Sequence, residues 1–185
     1  WPGTADRFVD GSSYGDERRF PLRPPGPLLF GPIELAWAAT VAGVVTGPLL
    51  LAAGATVAGI AALVVGLPVA AVAARALHAL SRRWLVLVPA GVVVHDLLVL
   101  RDPSLLLRRQ VRPLAPAPAG TTATGLTANA PGLALEVRLT EPVEIAPAGR
   151  FGLPSELTAV TSVLVSPTRP GAVVRAAADR RLTVS

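Results

Sequence analysis

Leu35–Ala74, LAWAATVAGVVTGPLLLAAGATVAGIAALVVGLPVAAVAA, runs for 40 residues without a charged side chain. As one helix at about 1.5 Å per residue it would measure roughly 60 Å, twice the roughly 30 Å thickness of a bilayer's hydrocarbon core. Two crossings fit better than one, and a buried core helix of a soluble protein needs no such length. Gly47-Pro48 is the obvious break, yet a turn there leaves a first helix too short to cross. A turn near Gly54 divides the run better. Helix one then covers Ile33–Ala53, kinked by Pro48, and helix two covers Ala55–Leu80, bent by Pro68. The expected hairpin occupies residues 31–80; the apolar run starts too late and lasts too long for a secretory signal peptide.

The flanks predict orientation. Arg18, Arg19 and Arg23 precede the hairpin, Arg75, Arg82 and Arg83 lie at its exit, and the connection carries no charge. By the positive-inside rule both ends, and whatever is attached to them, face the cytoplasm of a cell (inner) membrane. Trp37 and Trp84 stand where interfacial aromatic anchors belong, and Glu34 near the entrance stays hydrated. Arg75, Arg82 and Arg83 would also meet the anionic leaflet, each contributing about 1 kcal/mol; topology marking alone is the plainer reading. Helix two carries Ala58, Ala62, Gly66, Ala70 and Ala74 at four-residue spacing, and helix one Ala39, Gly43 and Gly47. Small residues let helix backbones approach closely, either within the hairpin or against a further copy or partner. Ala and Gly are so frequent in this run that composition alone also produces such stripes.

Composition sets the remaining bounds. The chain has 185 residues, of which 51% are hydrophobic and 16% charged, so one small soluble domain accompanies the hairpin. Without Cys there is no disulfide framework, thiolate chemistry or cysteine-bound metal. Every basic residue is Arg, which together with abundant Ala, Gly, Pro and Val reads as the coding bias of a GC-rich genome of the actinobacterial kind. A net charge of +5 would suit nucleic acid or anionic lipid, but one Tyr and four Phe supply a poor stacking surface, so nucleic acid is not expected as a partner. The chain opens on Trp1 rather than Met and is expected to begin inside a longer reading frame. Residues 1–30 mix charges with Gly, Ser and Pro and predict an irregular tail; PxxP spacing in Pro21–Pro27 suits a stiff spacer or a polyproline II ligand.

From Arg82 the pattern turns Val- and Leu-rich with frequent turn signals, marking a β-rich domain over 82–185. Trp84–Val88 predicts a strand, Pro89-Ala90-Gly91 a turn, and Val92–His95 the returning strand. A second extended pair is expected at Leu97–Leu100 and Leu105–Val111, and a loop over Pro113–Thr124. Leu133–Leu139 alternates, Thr140-Glu141-Pro142 turns it into Val143–Ile145, and Ala159–Val165 is the last strand. A C-terminal helix follows, capped by Ser166 or Thr168, with Pro170 in its first turn and Val173, Val174 and Ala177 facing inward. Six or seven short strands and one helix give an α+β order.

Ser81–Val93 after a membrane hairpin, together with Leu164–Val173, resembles the opening hairpin and the final strand, cap and helix of bacterial pleckstrin-homology-like (PH-like) domains in membrane-anchored proteins. The resemblance spans roughly residues 82–181 and is one of pattern; the Ala/Pro/Thr-rich connection at 115–131 departs from it. It implies a small bent β-sandwich or barrel capped by a helix and used for protein interaction or assembly. Phosphoinositide binding is not implied.

No catalytic constellation stands out. His95-Asp96 could belong to a metal-dependent phosphohydrolase site, but the only other His is His78, beside the membrane, so a strand residue is the plainer reading. Ser81, Ser104 and Ser155 lack a His and acid partner, and Gly-rich phosphate loops are absent. Glu136, Glu141 and Glu144 read as a solvated face of neighbouring strands, and Arg101, Arg108, Arg109 and Arg112 as a scattered basic group. The expectation is a non-enzymatic, membrane-anchored interaction or scaffold protein, without metal or cofactor, whose partners are the bilayer and another protein or a second copy. The alternatives are an accessory subunit held through its hairpin, or a domain that docks on anionic lipid.

Overall fold

The structure, a computed structural model, describes residues 2–11, 13, 15–149 and 156–184; Trp1 and Ser155 lie outside them. The chain divides into two compact units, one formed by Gly26–Ser81 and the other by Trp1–Pro25 together with Arg82–Ser185.

The first unit is a helical hairpin. A single 3-10 turn, Gly26–Leu28, leads to helix α2 (Pro32–Ala52), and helix α3 (Thr56–Ser81) returns. The turn falls where the sequence places it: Gly54 has φ +80°, a left-handed conformation that a side chain would strain. At the entrance the Glu34 carboxylate accepts the Gly31 N–H at 3.0 Å, and Pro32 occupies a first-turn position that needs no N–H partner. Pro48 and Pro68 are accommodated inside the helices and end neither. At about 1.5 Å per residue the two helices measure roughly 31 and 39 Å. Both are long and apolar enough to cross a membrane.

The second unit contains two four-stranded sheets and a closing helix. One sheet has the order β1 (Arg18–Pro21), β2 (Trp84–Val88), β3 (Gly91–His95), β4 (Ser104–Leu107), all antiparallel. The other has β5 (Val111–Pro116), β7 (Leu135–Ile145), β8 (Thr158–Val165) and β6 (Thr124–Gly125), with β6 parallel to β8. Side-chain alternation builds the core: Leu85 and Leu87 of β2 and Val92 and Val94 of β3 are fully buried, as are Leu135, Val137, Val163 and Val165 of the second sheet. Helix α4 (Pro170–Asp179) closes it with Val173, Ala176 and Ala177. A helical hairpin plus an α+β domain ending in a helix is therefore the architecture.

The largest departure from the sequence reading is at the N-terminus. Residues 1–30 are not an irregular tail: helix α1 (Pro2–Asp10) precedes β1, which pairs with β2 through Phe20↔Leu85 and Pro21↔Trp84. Phe20 and Leu22 are buried in the core, and the Leu22 N–H donates to the Arg83 carbonyl at 2.9 Å. Two apolar residues in a charged segment carry too little periodicity to announce a strand, and its partner lies beyond the whole hairpin. The hairpin is thus an insertion between two hydrogen-bonded neighbouring strands.

Smaller corrections have local causes. Leu97–Leu100 is a turn, because the Asp96 carboxylate accepts the Leu98 N–H at 3.1 Å while the Asp96 carbonyl accepts those of Val99 and Leu100. Arg108 and Arg109 occupy the turn between β4 and β5, and β5 itself runs to Pro116, into the expected loop. Thr140-Glu141-Pro142 does not turn the chain; β7 continues through it with a register irregularity that absorbs the missing Pro142 N–H. Neither Ser166 nor Thr168 is the cap residue of α4: Arg169 is, without a side-chain cap bond.

Candidate functional site

The hairpin is held by a seam of small residues. Gly43 and Gly47 of α2 and Gly59 and Ala70 of α3 are buried. A Cβ on Gly43 would run into the carbonyl oxygen of Gly66, and one on Gly66 would lie 2.7 Å from the carbonyl oxygen of Gly43. Gly47 sits against Leu63, and Gly59 receives the Leu51 side chain. Small residues at such a contact let the two helix backbones approach closely. Of the residues expected in the stripe, Ala39, Gly43, Gly47, Ala62, Gly66 and Ala70 lie in or beside the seam, whereas Ala58 and Ala74 are exposed and lie off it. A strict four-residue spacing advances about 40° per step, so its ends drift to the far face; the seam follows 59, 63, 66 and 70, with mixed steps of four and three. That mixed spacing was the readable signal for Gly59 and Leu63. Outside the seam, Val41, Val44, Ile60, Val64, Val65 and Val72 are exposed, as are Trp37 and Arg75.

In the second unit the expected basic pair separates. Arg82 is exposed, but Arg83 is 2% exposed and cannot reach a lipid head group. Its Nε and Nη2 donate to Oδ1 and Oδ2 of Asp96 at 2.8 and 2.6 Å, and its Nη1 donates to the Arg23 carbonyl at 2.6 Å. Asp96 is fully buried, and its Oδ1 also accepts the Leu98 N–H. Removing two charges from water costs several kcal/mol per ion, which only such a bidentate, additionally bonded pair offsets. The pair therefore ties the segment after β1, the start of β2 and the turn after β3.

Trp84 also differs from a simple interfacial anchor. Its ring is half-buried, stacked on His95 with centroids 5.4 Å apart and 22° between planes, and the Arg19 guanidinium lies 5.0 Å from the ring centroid. Burial, then the positive charges of Arg82 and Arg19, hold the His95 imidazole below its ordinary pKa of about 6.5, with Asp96 opposing. The Nε2 of His95 is buried without a hydrogen-bond partner. Both Asp96 carboxylate oxygens are engaged by Arg83; His95 ends β3 and Asp96 begins the turn that follows it. Among the described residues no three His, Asp or Glu side chains converge as a metal site would require.

The three glutamates share the single strand β7 and do not lie on neighbouring strands. Glu136 is buried, accepting Arg138 Nε at 2.8 Å and Thr121 Oγ1 at 3.2 Å; the Arg138 bond lowers its pKa against the opposing effect of burial. Glu141 accepts Gln110 Nε2, and Glu144 is exposed. The chain matches none of the protein-family models, curated proteins or solved structures with which it was compared.

Three outcomes test these assignments. Gly43→Ile should push α2 and α3 apart by about 2 Å, the range over which side chains set interaxial distance, read between spin labels at Trp37→Cys and Arg75→Cys. Ala58→Ile, off the seam, should leave that distance unchanged. Arg83→Met should destabilise the sheet unit by about 3–5 kcal/mol in denaturant titrations followed by near-UV circular dichroism, and Arg83→Met with Asp96→Leu should recover most of it. A double variant as unstable as the single one would refute the role of the pair. Because His95 binds a proton more weakly folded than unfolded, its contribution is complete above about pH 6.5 and is lost as pH falls through the lowered value. The melting temperature should drop between pH 7 and 5 less in His95→Phe than in the wild type.

Proposed function

We propose that the protein is a non-enzymatic, membrane-anchored interaction or scaffold module, its hairpin crossing a cell membrane and its sheet unit serving as a cytoplasmic PH-like domain. The carrying observation is the hairpin itself, whose large apolar side chains stand outward around both helices rather than being buried as in a soluble core. The pairing of Pro21 with Trp84 supports a common side for its two ends, since the strand entering and the strand leaving the hairpin belong to one sheet. The Arg residues at those ends favour the cytoplasm. Two sheets and a closing C-terminal helix support the PH-like reading; a first strand donated from before the hairpin and the parallel β6 depart from the pattern.

Partner binding through the domain is preferred to an accessory-subunit role because the small residues suited to helix docking face one another inside the hairpin. Anionic-lipid docking retains Arg75 and Arg82 but loses Arg83.

Single cysteines at Asp16 and Glu144 should resist a membrane-impermeant maleimide in intact cells and react in inverted vesicles, while one at Ala55 should do the opposite. In mild crosslinking of native membranes, a partner that persists with Gly43→Ile supports docking through the domain. Loss of that partner with Gly43→Ile makes the protein a hairpin-held accessory subunit instead.

A further inference from the structure

A groove of about 460 Å³ opens on the second sheet, lined by Thr121 and Thr122 of the turn before β6, by Glu136 and Arg138 of β7, and by Thr161 and Ser162 of β8. Strand alternation turns Glu136 and Arg138 away from the core that Leu135 and Val137 enter, and the pairing of Arg138 with Ser162 sets those two side by side. A carboxylate on an outward face is ordinarily hydrated, yet Glu136 is buried. Its Oε1 accepts the Arg138 Nε–H at 2.8 Å and its Oε2 accepts the Thr121 hydroxyl at 3.2 Å. The Thr121 N–H in turn donates to the Pro118 carbonyl, so the turn and the guanidinium are fixed from the same carboxylate. Only Nε of Arg138 is used. Its Nη1 and Nη2 groups make no hydrogen bond among the described residues, and neither do the hydroxyls of Thr122, Thr161 and Ser162. The Arg138 side chain is 59% exposed, so a buried acceptor sets its plane while its far end stays open.

We infer that this groove binds a carboxylate, held by the Nη1–Nη2 end of Arg138 and by the neighbouring hydroxyls. The unused groups are mostly donors, and a carboxylate offers about four lone-pair sites to receive them. A guanidinium fork fills two of these with parallel N–H bonds, and the hydroxyls of Thr122, Thr161 and Ser162 are at hand for the rest. Charge selects the same ligand. Arg138 is the single cation that lines the groove among the described residues, so a phosphate dianion would bring a second charge with no second partner. An ammonium group would meet the guanidinium's own charge and find both Glu136 oxygens already taken. Glu136 bonds the Nε side of Arg138, which leaves the guanidinium between the two negative groups. Such a carboxylate belongs either to the end of a polypeptide or to a small organic acid. The inference concerns the sheet unit alone and does not depend on the hairpin crossing a membrane.

The nitrogen-15-labelled full chain in dodecyl maltoside micelles at neutral pH would be titrated with N-acetyl-trialanine, with its C-terminal amide and with propionate, and followed by NMR. Saturable shifts of the Arg138 Nε–H and of the Thr122 and Ser162 amides are expected with the free acids and not with the amide. Arg138→Lys keeps the charge but loses the fork, and should weaken binding about tenfold or more. Thr161→Val/Ser162→Ala leaves the bond between Glu136 and Arg138 intact and should weaken it about fivefold. Arg175→Gln, which removes a charge outside the groove, should leave it unchanged. Near-UV circular dichroism identical to the wild type would show that the variants fold. The two acids separate the sources: a peptide bound about tenfold or more tighter than propionate identifies a polypeptide end, and equal affinity a small acid. No saturable shift with either acid, equal binding of the amide, or Arg138→Lys binding as tightly as the wild type overturns the inference.

Discussion

The bidentate contact between Arg83 and Asp96 joins three stretches that the chain order keeps apart. Its third hydrogen bond reaches the carbonyl of Arg23, 60 positions earlier, on the far side of the inserted hairpin. A buried ion pair of this kind adds little net stability over an apolar replacement, since desolvation consumes most of the attraction. What it adds is a penalty on every arrangement in which either charge is left alone. The chain leaving for the hairpin and the chain returning from it are therefore held together at one place, and β1 finds β2 rather than another edge. Bringing such distant segments together has an entropic cost that grows only logarithmically with length, and the hairpin lowers it further by folding back on its own seam.

That insertion gives the two units different physical requirements. The hairpin has no apolar interior in the usual sense; its stability comes from backbone contact at Gly43, Gly47, Gly59 and Gly66, while its Val and Leu side chains turn outward. The sheet unit does the reverse, burying Leu and Val between two sheets and, among the described residues, accepting charge inside where Arg83 meets Asp96 and where Arg138 and Thr121 satisfy Glu136. Among the described residues the buried charged side chains, Arg83, Asp96 and Glu136, are all spent on structural bonds.

The arginines then fall into separate physical roles. Arg75 and Arg82 are exposed near the hairpin's exit in sequence, Arg83 is a structural bond, Arg19 covers an aromatic ring, and Arg18, Arg169 and Arg175 surround a cleft. In a chain without lysine, residue type could not distinguish these roles; burial and partner did.

Local sequence determined the hairpin through its length and apolarity, its turn through Gly54 and the strand pair at Trp84–His95 through Val/Leu runs about Pro89-Ala90-Gly91, because these depend on contacts between neighbours in sequence. The last strand and the C-terminal helix were legible for the same reason, through the Val-rich run ending at Val165 and through Pro170 with the apolar positions after it. Tertiary structure decided the rest. β1 exists because Phe20 and Leu22 enter a core built from residues beyond the hairpin, β7 continues past Pro142 because β8 pairs on both sides of it, and Arg83 is buried because Asp96 awaits it. A charged or proline-bearing segment has no local reason to form such structure; only the partner across the fold supplies the burial and the hydrogen bonds that make it favourable.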